Sequence, residues 1–296
     1  MKAFKISVHI PHYISGNSSN KSKIFTKVCN SYLKISKNIK IFVHTNKKIK
    51  KKNGKIKYIY HNLNNINPFK LTWLCRKLMF EQKDKFDIFI YSEDDIIFSK
   101  KNFNYWLKYK DICIQNRFNL NFLRVEKSFK NKKLYSTDQI KKIKFYLKIK
   151  KILFAKLESS YCALWIYDKQ EFANFIKSKY WNFKFNLESI SGSQLTREMS
   201  AYGWHAPNMD RYNASIIPII NGKLNTNSFI RHISNNYVQN SYSENPTSLF
   251  GSNRVDKLLE KKLLYFYPKK KIYKILENLK MLIYKKMRFN LKNYKK

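Results

Sequence analysis

The chain is short of acid. Its 296 residues include 60 Lys and Arg against 19 Asp and Glu, a formal charge of +41. Glycine and proline number six each, and cysteine four. Each shortage excludes something. Cys29, Cys75, Cys113 and Cys162 stand far apart with no CxxC pair. Neither a zinc-ligand spacing nor a small disulfide framework can be read from them, and a reducing compartment is expected. No run approaches the roughly 18 apolar residues of a membrane-spanning helix. Residues 1–10 lack the long apolar core and small-residue cleavage site of a signal peptide. The expected location is cytoplasmic, soluble or peripheral at the inner face of the membrane. No internal repeat is visible.

The excess of base has two sources to weigh. One is an anionic partner. The other is composition, because the chain is rich in Lys, Asn, Ile, Tyr and Phe and poor in Ala, Gly and Pro. Composition explains much of the charge, so no specific nucleic-acid partner is expected. At this length the chain can bury a substantial core. We expect one α/β domain over residues 1–266 and a basic tail over 267–296.

Strand and helix patterns alternate. Phe4, Ile6, Val8 and Ile10 mark a strand that ends at Pro11. Apolar spacing predicts a helix over 24–37, then strands at 39–44 and 56–60. Pro68 opens a helix carrying Leu71, Leu74, Leu78 and Met79. A helix is expected over 102–111, strands over 122–126 and 161–167, and a helix over 169–177. Ser191 or Ser193 starts a further helix, and a strand covers 214–220. Residues 127–152, mainly Lys with scattered aromatics, read as an exposed insertion. From Pro268 onward, Ile272, Ile275, Leu276, Leu279, Leu282, Ile283 and Met287 share one helical face with Lys and Arg around them. Such a helix suits an anionic membrane surface and equally suits packing on the domain.

The stretch Asp87-Ile88-Phe89-Ile90-Tyr91-Ser92-Glu93-Asp94-Asp95-Ile96-Ile97-Phe98 organises the rest. It reads as a strand buried on both faces that runs into three acids and turns apolar again. A solvated loop would not need apolar residues on both sides. Three carboxylates in such a place require a cation, hydrogen bonds or shifted pKa values. A divalent metal carrying a polyphosphate meets that requirement, because hard cations take oxygen ligands.

Tyr91-Ser92-Glu93-Asp94-Asp95-Ile96 resembles the Asp-x-Asp-type motif of GT-A glycosyltransferases in its Glu-Asp-Asp form. The segment from Pro68 to Trp106 resembles a set of bacterial glycosyltransferase-like proteins. So do Arg197-Glu198 with Gly203, Asn208-Met209, Arg211-Tyr212, and His232 with Asn235-Asn236-Tyr237. The resemblance spans about residues 3–240 with gaps. It implies a GT-A-like, Rossmann-like twisted sheet, mixed but mostly parallel, flanked by helices. It also implies a nucleotide-sugar donor across the carboxyl ends of the strands and Mn²⁺ or Mg²⁺ on its diphosphate.

By the same resemblance Asp95 is the direct metal ligand, Asp94 lies towards the ribose, and Glu93 supports the site. His232 is a second candidate for metal or phosphate. His9, Pro11 and His12 would lie near the nucleobase and ribose, with Thr45 after the second strand. Arg76 and Arg124 could meet phosphates or be surface charges. Glu198 and Asp210 are the candidate bases for deprotonating the acceptor hydroxyl, and each also reads as an ion pair with its neighbouring Arg. His205 reads as packing or an acceptor contact. The acceptor would be a cell-surface glycan or a lipid-linked precursor. Two other readings stay open: a metal-dependent nuclease or phosphohydrolase, disfavoured by so few acids, and a non-catalytic glycan- or nucleotide-binding protein.

Overall fold

A computed structural model describes residues 3–16, 19–50, 54–64, 66–182, 194–205, 211–240 and 253–268. The first half runs β1 (Ile6–His12), α1 (Ser19–Leu33), β2 (Ile39–Thr45), β3 (Ile56–Tyr60), α2 (Leu71–Glu81) and β4 (Ile88–Ser92). After the acids come β5 (Ile96–Ile97), α3 (Lys100–Gln115), β6 (Asn119–Leu120), β7 (Leu123–Lys127), β8 (Leu134–Ser136), β9 (Ile143–Ile149) and β10 (Ile152–Lys156). The order closes with β11 (Leu164–Asp168), α4 (Lys169–Lys177), α5 (Gln194–Tyr202), β12 (Ser215–Ile220), β13 (Lys223–Leu224), β14 (Phe229–His232), α6 (Asn236–Asn240), β15 (Asn253–Arg254) and β16 (Leu259–Tyr265).

The chain is α/β. Its main sheet has the order β11-β4-β1-β2-β3. The first four of its strands in sequence are parallel, and β11 joins β4 antiparallel. Strands β1 and β4 are fully buried along their length; β4 reads as the unbroken apolar run of a central strand, whereas β1 alternates because it also buries Ser7 and His9. Helix α1 packs on one face, while α2, α4 and α5 pack on the other. On that second face the rings of Phe89 and Phe172 stack at 3.9 Å, and Tyr91 and Trp165 at 5.8 Å.

Local chemistry sets the helix starts. Asn67 accepts from the Phe69 N–H ahead of α2, with Pro68 in the first turn. Ser99 and Asn102 form a reciprocal capping box on α3. The Asp168 carboxylate caps α4 by accepting from the Glu171 N–H. Helix α1 begins at Ser19, five residues before its apolar spacing, because its first turn is polar.

Two smaller sheets complete the fold, β13-β12-β10-β9-β16 with β6 alongside, and β15-β8-β7-β14-β5. They overturn the reading of 127–152 as an exposed insertion. That segment supplies β8, β9 and the start of β10, and Ile143, Leu147 and Ile149 are buried on a strand whose Lys144 and Lys148 are exposed. The period of two was present, but the surrounding lysines masked it. The smaller sheets mix parallel and antiparallel pairs, so "mostly parallel" holds for the main sheet alone. The expected tail helix from 269 onward lies outside the described residues, and among those described no helix is long and apolar enough to cross a membrane.

Candidate active site

The acids follow β4 at the carboxyl edge of the main sheet, between β1 and the return strand β11. Here the strand order reverses direction from β4, a crevice where open α/β sheets take ligands. Three connections shape the turn. The Glu93 N–H donates to the Ala163 carbonyl at 3.0 Å, and Ala163 itself adopts the left-handed region, φ 60°. Strand β5 pairs antiparallel with β14, setting Ile96 opposite His232. The Ile233 N–H donates to the Asp95 carbonyl at 3.0 Å. Strand β14 in turn runs parallel to β7, which brings up Arg124 and Glu126. Pairing of β5, β7 and β14 therefore gathers residues separated by more than a hundred positions.

Asp95 is the hub. Its Oδ2 accepts from His232 Nε2 at 2.8 Å and from the Ser234 hydroxyl at 3.0 Å. Its Oδ1 is buried and has no hydrogen-bond partner among the described residues. The other nitrogen of His232, Nδ1, meets Glu126 Oε1 at 2.5 Å. Glu126 is fully buried and also accepts from the N–H groups of Tyr237 and Val238, at 3.3 and 2.6 Å. With a carboxylate on each nitrogen, His232 is an imidazolium. Burial works against its charge, but Asp95 and Glu126 prevail and raise its pKa to about 9. Burial likewise opposes the Asp95 carboxylate, yet His232, Arg124 and Ser234 hold its pKa below the ordinary value.

Glu93 goes the other way. Burial and the Asp95 charge push its pKa up, against Arg124 and Arg197. The Tyr161 hydroxyl donates to its Oε1 at 2.6 Å. Asp94 points to β1 instead. Its Oδ2 lies 2.6 Å from His12 Nδ1, and the His12 ring stacks on Phe25 of α1 at 4.0 Å.

The other sequence candidates fall as follows. Pro11 and Thr45 are buried at the ends of β1 and β2. His9 is fully buried and bonded to His44 and Gln82. Arg76 is buried under Trp73, Trp181 and Phe175, and it donates to the carbonyls of Tyr180 and Trp181. Arg124 makes a two-pronged pair with Asp138, at 2.9 and 2.6 Å. Glu198, on α5, is half-buried; burial raises its pKa against Arg197 and Arg124. His205 is buried with neither ring nitrogen hydrogen-bonded among the described residues. Arg211 pairs with Glu171 at 2.8 Å. Asp210, Asn208 and Met209 lie outside the described residues.

Sequence reading missed Glu126, Tyr161, Ser234 and Asp138. One signal pointed to Glu126. It follows Arg124 by two positions inside an apolar strand, so both charges share one buried face. Nothing in the local pattern marked Tyr161 or Ser234, which matter through tertiary pairing.

Among the described residues no three His, Cys, Asp or Glu side chains form a ready metal cage. The donor set still fits a hard divalent ion that arrives with a polyphosphate. The unpartnered Asp95 Oδ1 is a free oxygen ligand, and such ions commonly bind through one or two carboxylates plus substrate phosphates and waters.

No family model matches the sequence, and no curated protein matches it. Among solved structures the chain is similar to TarS residues 1–349 from S. aureus, with 14% identity and a TM-score of 0.38. The match covers 74% of this chain, and the chain spans only 59% of that one.

Proposed function

We propose that the chain is a metal-dependent glycosyltransferase acting on a nucleotide-sugar donor. The observation that carries this reading is Asp95, a braced, ionised carboxylate at the sheet's switch point with one buried oxygen unused. Asp95 would hold Mn²⁺ or Mg²⁺ through that oxygen, with Glu93 assisting. The ion, when bound, would offset the donor diphosphate's charge and the charge growing on the leaving nucleoside diphosphate.

The chain's own residues would do the rest. His232 and Ser234 fix the Asp95 carboxylate, and Glu126 fixes His232. His12 holds Asp94 towards the ribose side of the crevice. Glu198 is the base for the acceptor hydroxyl. Its raised pKa moves it towards the working pH, where a general base is most effective. A catalytic unit over residues 1–266, an acceptor that is a surface glycan or a lipid-linked precursor, and a peripheral membrane contact through the basic tail complete the proposal.

The test is release of nucleoside diphosphate from UDP-, GDP- and CDP-sugars, with Mn²⁺, Mg²⁺ or EDTA. Metal-dependent release from one nucleotide family, abolished in Asp95→Asn and reduced at least a hundredfold in Glu198→Gln, supports it. No release from any donor by folded protein, with phosphoester hydrolysis instead, would overturn it.

A further inference from the structure

Away from the acids, the main sheet holds a second polar construction. His9 on β1, His44 on β2 and His61, just past β3, stand in a row. His9 Nδ1 lies 3.0 Å from His44 Nε2, and His44 Nδ1 lies 2.8 Å from His61 Nε2. The ring planes lie 26° and 22° from parallel with centroids 5.3 and 5.1 Å apart, so each nitrogen contact runs edge to edge. At the inner end His9 Nε2 lies 3.2 Å from Gln82 Oε1. His9 and His44 have no solvent exposure, Gln82 is buried, and His61 is half-buried.

The inner end sets the direction of the whole row. An amide oxygen can only accept, so His9 Nε2 carries the hydrogen. Burial keeps these rings neutral; it takes the His9 pKa down to about 3 and lowers those of His44 and His61. A neutral imidazole has one N–H, so His9 Nδ1 is a lone pair and His44 must donate from Nε2. The same step repeats at His61. It is left with a lone pair on Nδ1 at its outer side, and aligned hydrogen bonds strengthen one another.

His61 sits at the carboxyl edge, where its backbone N–H donates to the Thr45 carbonyl at 2.8 Å. Close by, Asn46 ties the segment after β1 to that after β2 through Ile14, at 2.8 and 3.2 Å. Strand β3 lies three places from β4 along the sheet, about 14 Å at ordinary strand spacing. An extended nucleoside diphosphate covers a span of that order.

We propose that His61 Nδ1 is an acceptor of enforced tautomer that recognises the ring N–H of a nucleobase such as uracil or guanine. The ligand part rests on the nucleotide-sugar reading above. Cytosine and adenine present a ring lone pair at the corresponding position and would meet His61 lone pair to lone pair. His44, His9 and Gln82 are positioning residues that act through His61.

Nitrogen-15 NMR of the imidazoles and calorimetric binding of UDP, GDP, CDP and ADP with Mg²⁺ test this together. The expected result is an Nε2–H tautomer for His9, His44 and His61. The wild type should prefer UDP or GDP over CDP and ADP by about tenfold, the scale of one hydrogen bond. His61→Phe should erase the preference. Gln82→Glu, which still accepts, should keep tautomer and preference, whereas Gln82→Leu should lose both while still folding. Nδ1–H tautomers, an unchanged preference in His61→Phe, or an equal loss for all four ligands would overturn the inference while leaving the nucleotide reading intact. Absence of nucleotide binding by folded wild-type protein would overturn both.

Discussion

His232 stands between two carboxylates, and Glu126 is the one with no solvent to fall back on. Removing it strands a buried imidazolium nitrogen and two backbone N–H groups at Tyr237 and Val238. Glu126→Ala should therefore lose about 3 kcal/mol of stability in urea titration, the scale of breaking a buried pair from one side. A loss under about 1 kcal/mol would mean that Glu126 does not anchor His232. Gly203 is a second sensitive residue. Its φ is +61°, and a Cβ there would meet the Tyr167 hydroxyl at 2.6 Å and the Trp165 ring at 2.7 Å. Both neighbours are buried aromatics that cannot swing aside. Gly203→Ala combines about 1–2 kcal/mol for the left-handed backbone with overpacking of similar size. An unchanged urea midpoint would contradict the placement of this turn against Trp165.

Among elements, α3 and β14 are coupled through one side chain. Asn102 completes the α3 cap, and its Nδ2 donates to the carbonyls of Asn227 and Phe229, at 2.7 and 2.8 Å, where β14 begins. Ser99→Ala should remove about 1 kcal/mol of capping and leave nucleotide affinity alone. Asn102→Ala should also loosen β14, and so weaken metal-dependent nucleotide binding in calorimetry. Equal affinities for the two variants would contradict that coupling. Elements also show what was legible in the sequence. Strand β1 stood out by its alternating apolar residues, and β4 by its unbroken apolar run. The strands of 134–156 did not, because lysines such as Lys144 and Lys148 alternate with the buried residues and mask their period. Asp95 was legible from its flanks. Its bracing by Glu126 and Ser234 was not, because it depends on which strands pair, and pairing is a long-range choice that local pattern does not encode.

For the whole molecule, the histidines dominate the response to mild acid. Burial lowers the pKa of His9 and His205 to about 3 and that of His44 well below its ordinary value. These groups refuse protons that the unfolded chain accepts below about pH 6.5, so stability is present above that pH and is lost as pH falls towards 3. Glu93 and Glu198, pushed up, and His232, already protonated in the fold, work in the opposite sense against His9, His44, His61 and His205. Unfolding free energy should drop between pH 6.5 and 5, with a slope of at most about 1.4 kcal/mol per pH unit for each histidine. A flat profile over that window would contradict their burial in neutral form. The formal charge of +41 adds a second global effect. Self-repulsion at that charge weakens the compact state, so added salt should raise the unfolding temperature.

The measurement closest to the central claim is thermal unfolding with nucleoside diphosphates and Mn²⁺, Mg²⁺ or EDTA, on the wild type and Asp95→Asn. A ligand at about 100 times its dissociation constant adds about 2.7 kcal/mol. The account predicts a metal-dependent upward shift with one nucleotide family that vanishes in Asp95→Asn, while the variant still unfolds cooperatively. A shift of equal size in Asp95→Asn, or none in the wild type with any nucleotide, would contradict it.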